Sequence, residues 1–597
     1  MPGNWAHDCR AQPEPASGGP APAPATQPAE TPKPAPTLDP AWINAFKWRP
    51  IGPANMGGRI TDLAVNEKDP STYWVATASG GLIKTTNNGH TWEHQFDRQA
   101  TVSIGDVTVA PSNPDIVWVG TGESNPRNSV SWGDGVYKSI DGGKTWTRMG
   151  LEKTFQIGRI LIHPTNPDVV YVAAMGRCWG ENEERGFYRT ADGGKTWERI
   201  LYVDARTGAI DAAMMPGNPD TILVAMWERQ RDIYDSNDPA KKWGPGSGLY
   251  RTTDGGKTFA KVTAGLAEGQ VGRIGLDFWR KDPSHVYLVM ESEYAGLGNP
   301  NAAYLGLTGE NAEAGARITR VVENGPAGTA GLKAGEIIVG ADGTPVASYD
   351  ALLALVRKKQ PGEKLRLQVV RETKGVDVEL TVGKRPLDLN ARPFSTRLGG
   401  QVPNVQDEQG AEGARTGGVY KSVDGGATWT RINSLTPRPM YFSKIRVDPS
   451  DENWIWVLGI SLHVSSDNGM TFRDDGGRGV HADHHAMWID PANGSHIILG
   501  CDGGLYSTYD RGKNWDHHND TAIGQFYHVA VDSRPVYNVY GGLQDNGSWG
   551  GPSRSRLGGA LNEDWFRIGG GDGFICAVDP NDPDQLYYES QNGGSGW

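Results

Sequence analysis

Four cysteines in 597 residues (Cys9, Cys178, Cys501 and Cys576) are too scattered for a disulfide framework, and with no C-x-x-C pair they signal no thiolate zinc site. Charge is scarce as well: Asp, Glu, Lys and Arg make up 21% of the chain, 58 basic against 70 acidic, for a net charge of -12. No long basic block is present, so the footprint of a phosphate-backbone binder is missing and no nucleic-acid partner is expected. No stretch approaches the roughly 18 apolar residues of a membrane span, so no transmembrane segment is expected. The first 40 residues also lack the apolar run of an export signal. There is no G-x-S-x-G elbow, Walker loop, H-E-x-x-H helix or dinucleotide fingerprint, so no complete catalytic motif and no cofactor is signalled.

The excess lies in glycine, 81 residues or about twice the usual ~7%, together with 39 Pro and 21 Trp. The length exceeds the roughly 250 to 300 residues that one core spans, which calls for several domains or a repeat. Residues 11–40 hold ten Pro and seven Ala with almost no large apolar side chain. Such a segment buries too little surface to fold, and residues 1–40 are expected to be a disordered tether. Cys9 stands where a lipidated cysteine would, although Ala6-His7-Asp8-Cys9 departs from the usual lipidation pattern.

From Trp48 onward the chain repeats itself. One unit reads Ser139-Ile-Asp141-Gly-Gly143-Lys-Thr145-Trp146, and others begin at Thr190, Thr252 and Ser422, with looser copies at Thr85, Ser465 and Thr508. In each, Ser/Thr and Asp side chains can bond backbone donors of a turn, Gly supplies positive φ, and an aromatic closes the unit, which describes a hairpin. A Gly-aliphatic-Tyr-Lys/Arg strand precedes most copies, and upstream lies a pair of strands broken by an N-P-D turn, as in Val109-Ala-Pro111-Ser-Asn-Pro114-Asp115. Four strands per period follow.

The units are spaced by 54, 51, 62, 170, 43 and 43 residues. Four-stranded units of this length, stacked about an axis, make a β-propeller. The repeats resemble the Asp-box, or BNR, repeat of sialidases, sortilin-type receptors and xyloglucanase-type hydrolases, in bacterial proteins often labelled glycosyl hydrolases. The resemblance implies an all-β propeller, seven-bladed with the start of a second or a ten-bladed ring, with the boxes on the blade periphery.

The 170-residue spacing is about 110 residues too long. Between Ala302 and Pro386 the texture changes to include a helical run at Tyr349–Lys359. Tyr304-Leu305-Gly306-Leu307, Ala316 to Val322, Gly325 to Ile338 and Asp342-Gly343 resemble a protease-associated PDZ domain of α+β type, with Glu336 where that family usually carries Asp. The order expected is propeller blades over 41–301, PDZ over 302–386, blades again over 387–520, and degenerate blades over 521–597. The resemblance implies a peptide C-terminus as partner, its carboxylate held by Tyr304, Leu305, Gly306 and Leu307.

In a propeller the innermost strands line a funnel. Register places Arg59, Asp106, Arg159, Asp211, Arg273 and Lys444 there, with His484 and His485. Such a ring of both signs either binds a polar ligand or pairs with itself. Strand alternation sends His481, Asp483 and His485 to one face, a set that could offer two imidazoles and a carboxylate to a metal. Next-but-one residues on a straight strand are nearly 7 Å apart, however, so no metal is expected there. Against inverting xyloglucanases, Ala78 stands where one catalytic aspartate would be, while Asp502 in Cys501-Asp502-Gly503-Gly504 resembles the context of the other. Glu123 with Asp502 is the remaining candidate acid and base pair.

Trp48-Arg-Pro-Ile-Gly52 reads as a last strand placed ahead of the first blade to close the ring. Trp565-Phe-Arg-Ile-Gly569 reads as the start of an incomplete ninth unit after a degenerate eighth at Gln544–Trp549, so the protein is expected to continue beyond Trp597. The leading expectation is an exported scaffold, periplasmic, secreted or lipid-anchored, that binds protein or peptide ligands. The alternative is a hydrolase acting on polysaccharide with its carboxylates in the funnel.

Overall fold

The computed structural model describes residues 39–45, 49, 51–55, 57–126, 130–231, 242–294, 303–384, 417–556 and 560–597. Cys9 and all but the end of the 1–40 segment lie outside the described residues. A short helix, Pro40–Ala45, belongs to a separate unit, Met1–Pro50.

Each Asp-box closes the turn after the third strand of an antiparallel sheet, leading to a fourth strand in six of the seven sheets and to a single bridge, Val464 to Arg473, in the sixth. In the second sheet Ser139 Oγ donates to Asp141 Oδ1 (2.7 Å) and accepts from the Gly143 amide (2.8 Å). Asp141 in turn accepts from the Thr145 amide (2.9 Å) and hydroxyl (2.6 Å). Gly143 sits at φ +93°, a conformation that a Cβ would strain. The same side-chain bonding recurs at Asp192, Asp254, Asp424, Asp467 and Asp510, and with Asn87 in the first sheet.

Box aromatics fix the order of the blades. Trp197 of blade 3 packs edge-on against Trp118 of blade 2, with ring centroids 6.0 Å apart, and Phe259 of blade 4 against Phe187 of blade 3 at 6.3 Å. By the same rule Trp92 of blade 1 lies edge-on to His518 of blade 7, at 6.2 Å. Ile60, Tyr73, Val75 and Ile83 of blade 1 share one buried cluster with Ala486, Ile498 and Leu505 of blade 7. Seven sheets spanning Ile60 to His518 therefore close a ring, which replaces the ten-bladed alternative.

Closure uses no borrowed strand, because all four strands of blade 1 are consecutive, from Ile60–Val65 to Glu93–His94. The expected closing strand is corrected accordingly. Trp48 and Pro50 lie outside the described residues, while Ile51 forms no strand and its carbonyl accepts from Trp565 Nε1 at 2.6 Å, against the eighth sheet. That sheet runs Phe526–Val531, Asn538–Leu543, Gly547–Pro552 and Phe566–Gly569. The Trp565–Gly569 segment thus supplies a last strand, not the start of a new unit, and Gln544–Asn546 is a turn between second and third strands. A ninth, three-stranded sheet, Gly573–Val578, Leu586–Ser590 and Gly594–Gly596, packs on the eighth through the stacked rings of Tyr527 and Phe574, 5.1 Å apart.

The PDZ domain interrupts blade 5 between Val286–Ser292 and Gly418–Ser422, which still pair as neighbours. It has its own core, including Ile318, Leu332, Ile338, Leu352, Leu367 and Leu380. Its ends meet where Ala303–Tyr304 pairs with Gly383–Lys384, so a hairpin can carry the insertion without spreading its strands.

Candidate functional site

The PDZ sheet runs in the order Leu307–Ala312, Gly315–Val321, Ile337–Ala341, Lys364–Arg371, Lys374–Thr381. Leu307–Ala312 is thus an edge strand whose outer side pairs with no strand among the described residues. Beside it lies the helix Tyr349–Val356, capped by Ser348 Oγ accepting from the Ala351 amide (3.1 Å). The loop ahead of the edge strand is held from behind. The Leu305 carbonyl accepts from the Ala327 amide (2.7 Å), the Gly306 carbonyl accepts from the Val322 amide (2.8 Å), and Gly306 takes φ +73°. Among the described residues nothing accepts from the Leu305 and Gly306 amides. An open edge ending in available amides is what strand addition with carboxylate capture requires.

The funnel residues divide into two groups. The innermost strands of blades 1 to 5 and 7 all carry a register shift near their start. Such a bulge re-aims the side chains beside it. Arg159 occupies the axis: Nη1 lies 3.1 Å from Asp106 and 3.6 Å from Asp62, and Nε 3.0 Å from Asp211. Carboxylates of the inner strands also tie the blades together. Asp106 accepts from the Ile160 amide (2.9 Å), Asp211 from Leu276 (3.2 Å) and Asp277 from Val447 (2.8 Å), in each case on the next blade.

Burial, followed by the Asp62 charge, pushes the Asp106 carboxyl well above the usual range. For Asp62 burial acts the same way, but Arg159 and then Lys444 outweigh it and hold that group low. Burial lowers Lys444 to about 8, and its ammonium donates to the Thr61 carbonyl (3.3 Å). At one mouth of the axis a cavity of about 720 Å³ is bordered by Arg159, Asp211, Asp277 and Arg446. Sequence register missed Asp62, although Ile60-x-Asp62 repeats Ile104-x-Asp106.

Arg59 and Arg273 turn away from this axis network. Arg59 Nε lies 2.9 Å from Asp502 Oδ1, Nη1 3.2 Å from Glu123 Oε2 and Nη2 3.3 Å from Asp545 Oδ2. Burial disfavours its charge, but Asp502 and then Glu123 raise it well above its ordinary range. His485 Nε2 lies 2.8 Å from the same Asp502 oxygen, and its ring stacks on Phe442 at 5.2 Å. Asn125 links Glu123 (3.3 Å) to the guanidinium of Arg273 (3.0 Å), which burial lowers to about 10. Asp502 is 0% exposed and Glu123 2%, so the two candidate carboxylates meet on one enclosed guanidinium. A general acid and a general base need room between them for substrate and water, and here Arg59 lies against both.

The histidine cluster does not form a straight strand. Asp483 takes φ +66° and the strand begins at His484. His485 turns to Asp502, while His481 Nε2 contacts the Asp545 carbonyl (3.1 Å) and burial, then the neighbouring His485 and His481, lowers His484 to about 3. The three residues expected to share a face are thereby separated. Asp483, Asp502 and Asp545 do bring carboxylate oxygens within 4.8 Å of one another, and Arg59 already sits against two of them. Asp545, in Gln544-Asp545-Asn546, was legible from its repeat register beside the histidine cluster, whereas Asn125 was not, because the blade 2 loop meets blade 1 only through the ring.

Residues 134–273 match the family described as sortilin, neurotensin receptor 3, and residues 303–382 match the PDZ domain. A probable periplasmic serine endoprotease DegP-like of Pseudomonas fulva is 36% identical over 124 residues, 19% of this chain and 26% of that protein. The xyloglucanase Xgh74A of Acetivibrio thermocellus is 24% identical over 234 residues, 33% of this chain and 27% of that protein. The chain spans about a quarter of the length of these curated relatives. Among solved structures, an ancestral GH74 enzyme aligns over 92% of this chain and 76% of its own, at 15% identity and TM-score 0.33. YCF48 from Cyanidioschyzon merolae aligns over 76% and 97%, at 13% identity and TM-score 0.35. No helix among the described residues is long and apolar enough to cross a membrane.

Proposed function

We propose that this chain, a sortilin-type Asp-box propeller with a PDZ domain set into its fifth blade, is an exported scaffold that captures peptide C-termini. The observation that carries this reading is the open edge strand Leu307–Ala312, preceded by the Leu305 and Gly306 amides that nothing among the described residues occupies. Main-chain pairing along that edge would supply affinity, and the loop amides would hold the terminal carboxylate. Similarity to periplasmic DegP-like proteases supports the exported setting. The propeller, latched by carboxylates across its blades, would serve as the rigid body that presents the domain.

Panning a library of peptides with free C-termini against the full chain, and against a variant lacking residues 303–384, tests this. Enrichment that needs the PDZ segment is expected; none, or enrichment unchanged by the deletion, rejects it.

The rival reading, a carbohydrate-active hydrolase using Asp502 and Glu123, draws on the segment similar to a xyloglucanase. The burial of both carboxylates against Arg59 weighs against it.

A further inference from the structure

Where neighbouring blades meet, the next-to-last residue of a third strand reaches across to the following Asp-box. Lys84 Nζ donates to the Gly142 carbonyl (3.0 Å), Lys138 Nζ to the Gly193 carbonyl (3.3 Å) and Arg251 Nε to the Gly425 carbonyl (3.0 Å). A backbone carbonyl in that place has no leaving group short of cutting the chain. The box of blade 6 carries Asn468 at the glycine position, with φ +64°, close to the +70° of Gly142. Lys421 of blade 5 therefore meets a side-chain amide, its Nζ 2.9 Å from Asn468 Oδ1.

Three more side chains converge on this pair. Glu452 Oε1, from blade 6, lies 2.7 Å from Lys421 Nζ. Tyr287 pairs with Lys421 across the strands of blade 5, and its hydroxyl lies 2.6 Å from Glu452 Oε1 and 2.9 Å from Asn468 Oδ1. His285 Nδ1 lies 2.5 Å from the same Glu452 oxygen. Asn468 Nδ2 donates to the Glu452 carbonyl (3.4 Å). Burial opposes the charge of Glu452, but hydrogen bonds from Lys421, Tyr287 and His285 outweigh it and hold the carboxyl below its ordinary range. Burial and then Glu452 push the Tyr287 phenol up, so it keeps a proton to donate. An amine held against a carboxamide, with a carboxylate on the amine and a hydroxyl on the amide oxygen, is the set of groups that amide exchange requires.

We propose that Lys421 and Asn468 join in an isopeptide bond that ties blade 5, at the strand where it resumes after the PDZ insertion, to blade 6. Lys421 passes one proton to the Glu452 carboxylate, and Nζ then attacks Asn468 Cγ. Tyr287 donates to Oδ1 as negative charge gathers there. The Nζ–Cγ bond forms and the Cγ–Nδ2 bond breaks. Nδ2 leaves with a second Nζ proton as ammonia, and Glu452 yields its own proton to that ammonia. Neither an oxidant nor water is consumed.

Mass spectrometry of the full chain tests this. The intact protein is expected to be lighter than its sequence by one ammonia, and a tryptic digest to yield a branched peptide that joins the segments around 421 and 468. Lys421→Arg and Asn468→Gly should each restore the sequence mass; the second installs the residue that other boxes carry. Glu452→Gln should slow accumulation of the linked form by about 100-fold. A parent chain at its sequence mass, with Lys421 and Asn468 in separate peptides after prolonged incubation at neutral pH, overturns the proposal. So does conversion of Asn468 to aspartate with Lys421 free, since the amide would then have met water instead of the amine. Linkage at full speed in a folded Glu452→Gln variant overturns the proton route assigned to Glu452.

Discussion

Arg59 and Asp502 stand 443 residues apart in the chain and 2.9 Å apart in space, Nε to Oδ1, with both side chains buried. The pair joins blade 1 to blade 7 across the closure of the ring. Removing one partner leaves a charge in the interior without its main counter-ion, a change that costs about 3 to 5 kcal/mol. Asp502→Ala is expected to lower the urea unfolding midpoint strongly, and the double variant Arg59→Leu, Asp502→Ala to recover part of the loss. A single variant as stable as the parent contradicts this role.

Two buried histidines make stability depend on pH. Burial holds His463 down to about 4, and burial with its histidine neighbours holds His484 down to about 3. Both are neutral in folded and unfolded chains above the unfolded value near 6.5. Below it the unfolded chain takes up protons that the native chain refuses, so stability falls with pH at up to about 1.4 kcal/mol per unit for each histidine. Denaturation series between pH 7 and pH 4.5 should show this slope, and replacing both histidines with leucine should flatten it.

Asp141 carries the turn of blade 2. Bonds from the Thr145 hydroxyl and amide hold its carboxyl down to about 2. Asp141→Ala should destabilise the ring by about 1 to 2 kcal/mol, measured by chemical unfolding. Asp141→Asn should cost less, since Asn87 fills the same place in blade 1. The carboxylate's contribution is complete above the unfolded value near 4 and fades as pH falls toward 2.

A glycan panel decides the rival reading. With Asp502 and Glu123 acting as counter-ions of Arg59, no hydrolysis that depends on them is expected. Turnover lost in both Glu123→Gln and Asp502→Asn, each folded by circular dichroism, would restore the hydrolase.

Much of the fold was legible because it depends on local chemistry. Ser139, Asp141, Gly143 and Thr145 satisfy one another within seven residues, so the motif announces its turn wherever it occurs. The PDZ insertion showed itself in the same way, through the loop at Gly306 and the helix at Tyr349. Ring size was not legible, because Trp92 meets His518 and Ile60 meets Ile498 only through folding of the whole ring. The polar clusters were read in part: the charged residues could be named, but the bulge after Ile60 sends Asp62 to the axis and leaves Arg59 to Asp502. Alternation on an unbroken strand could not foresee that turn.

Capture of a peptide C-terminus by the loop before Leu307 is the function proposed for the PDZ domain. One measurement bears on it most directly: affinity of the full chain for a selected peptide as the free acid and as the C-terminal amide. The free acid should bind at least about tenfold more tightly, as expected when the loop amides would otherwise lose their charged acceptor. Equal affinity for acid and amide, or binding of neither, contradicts it.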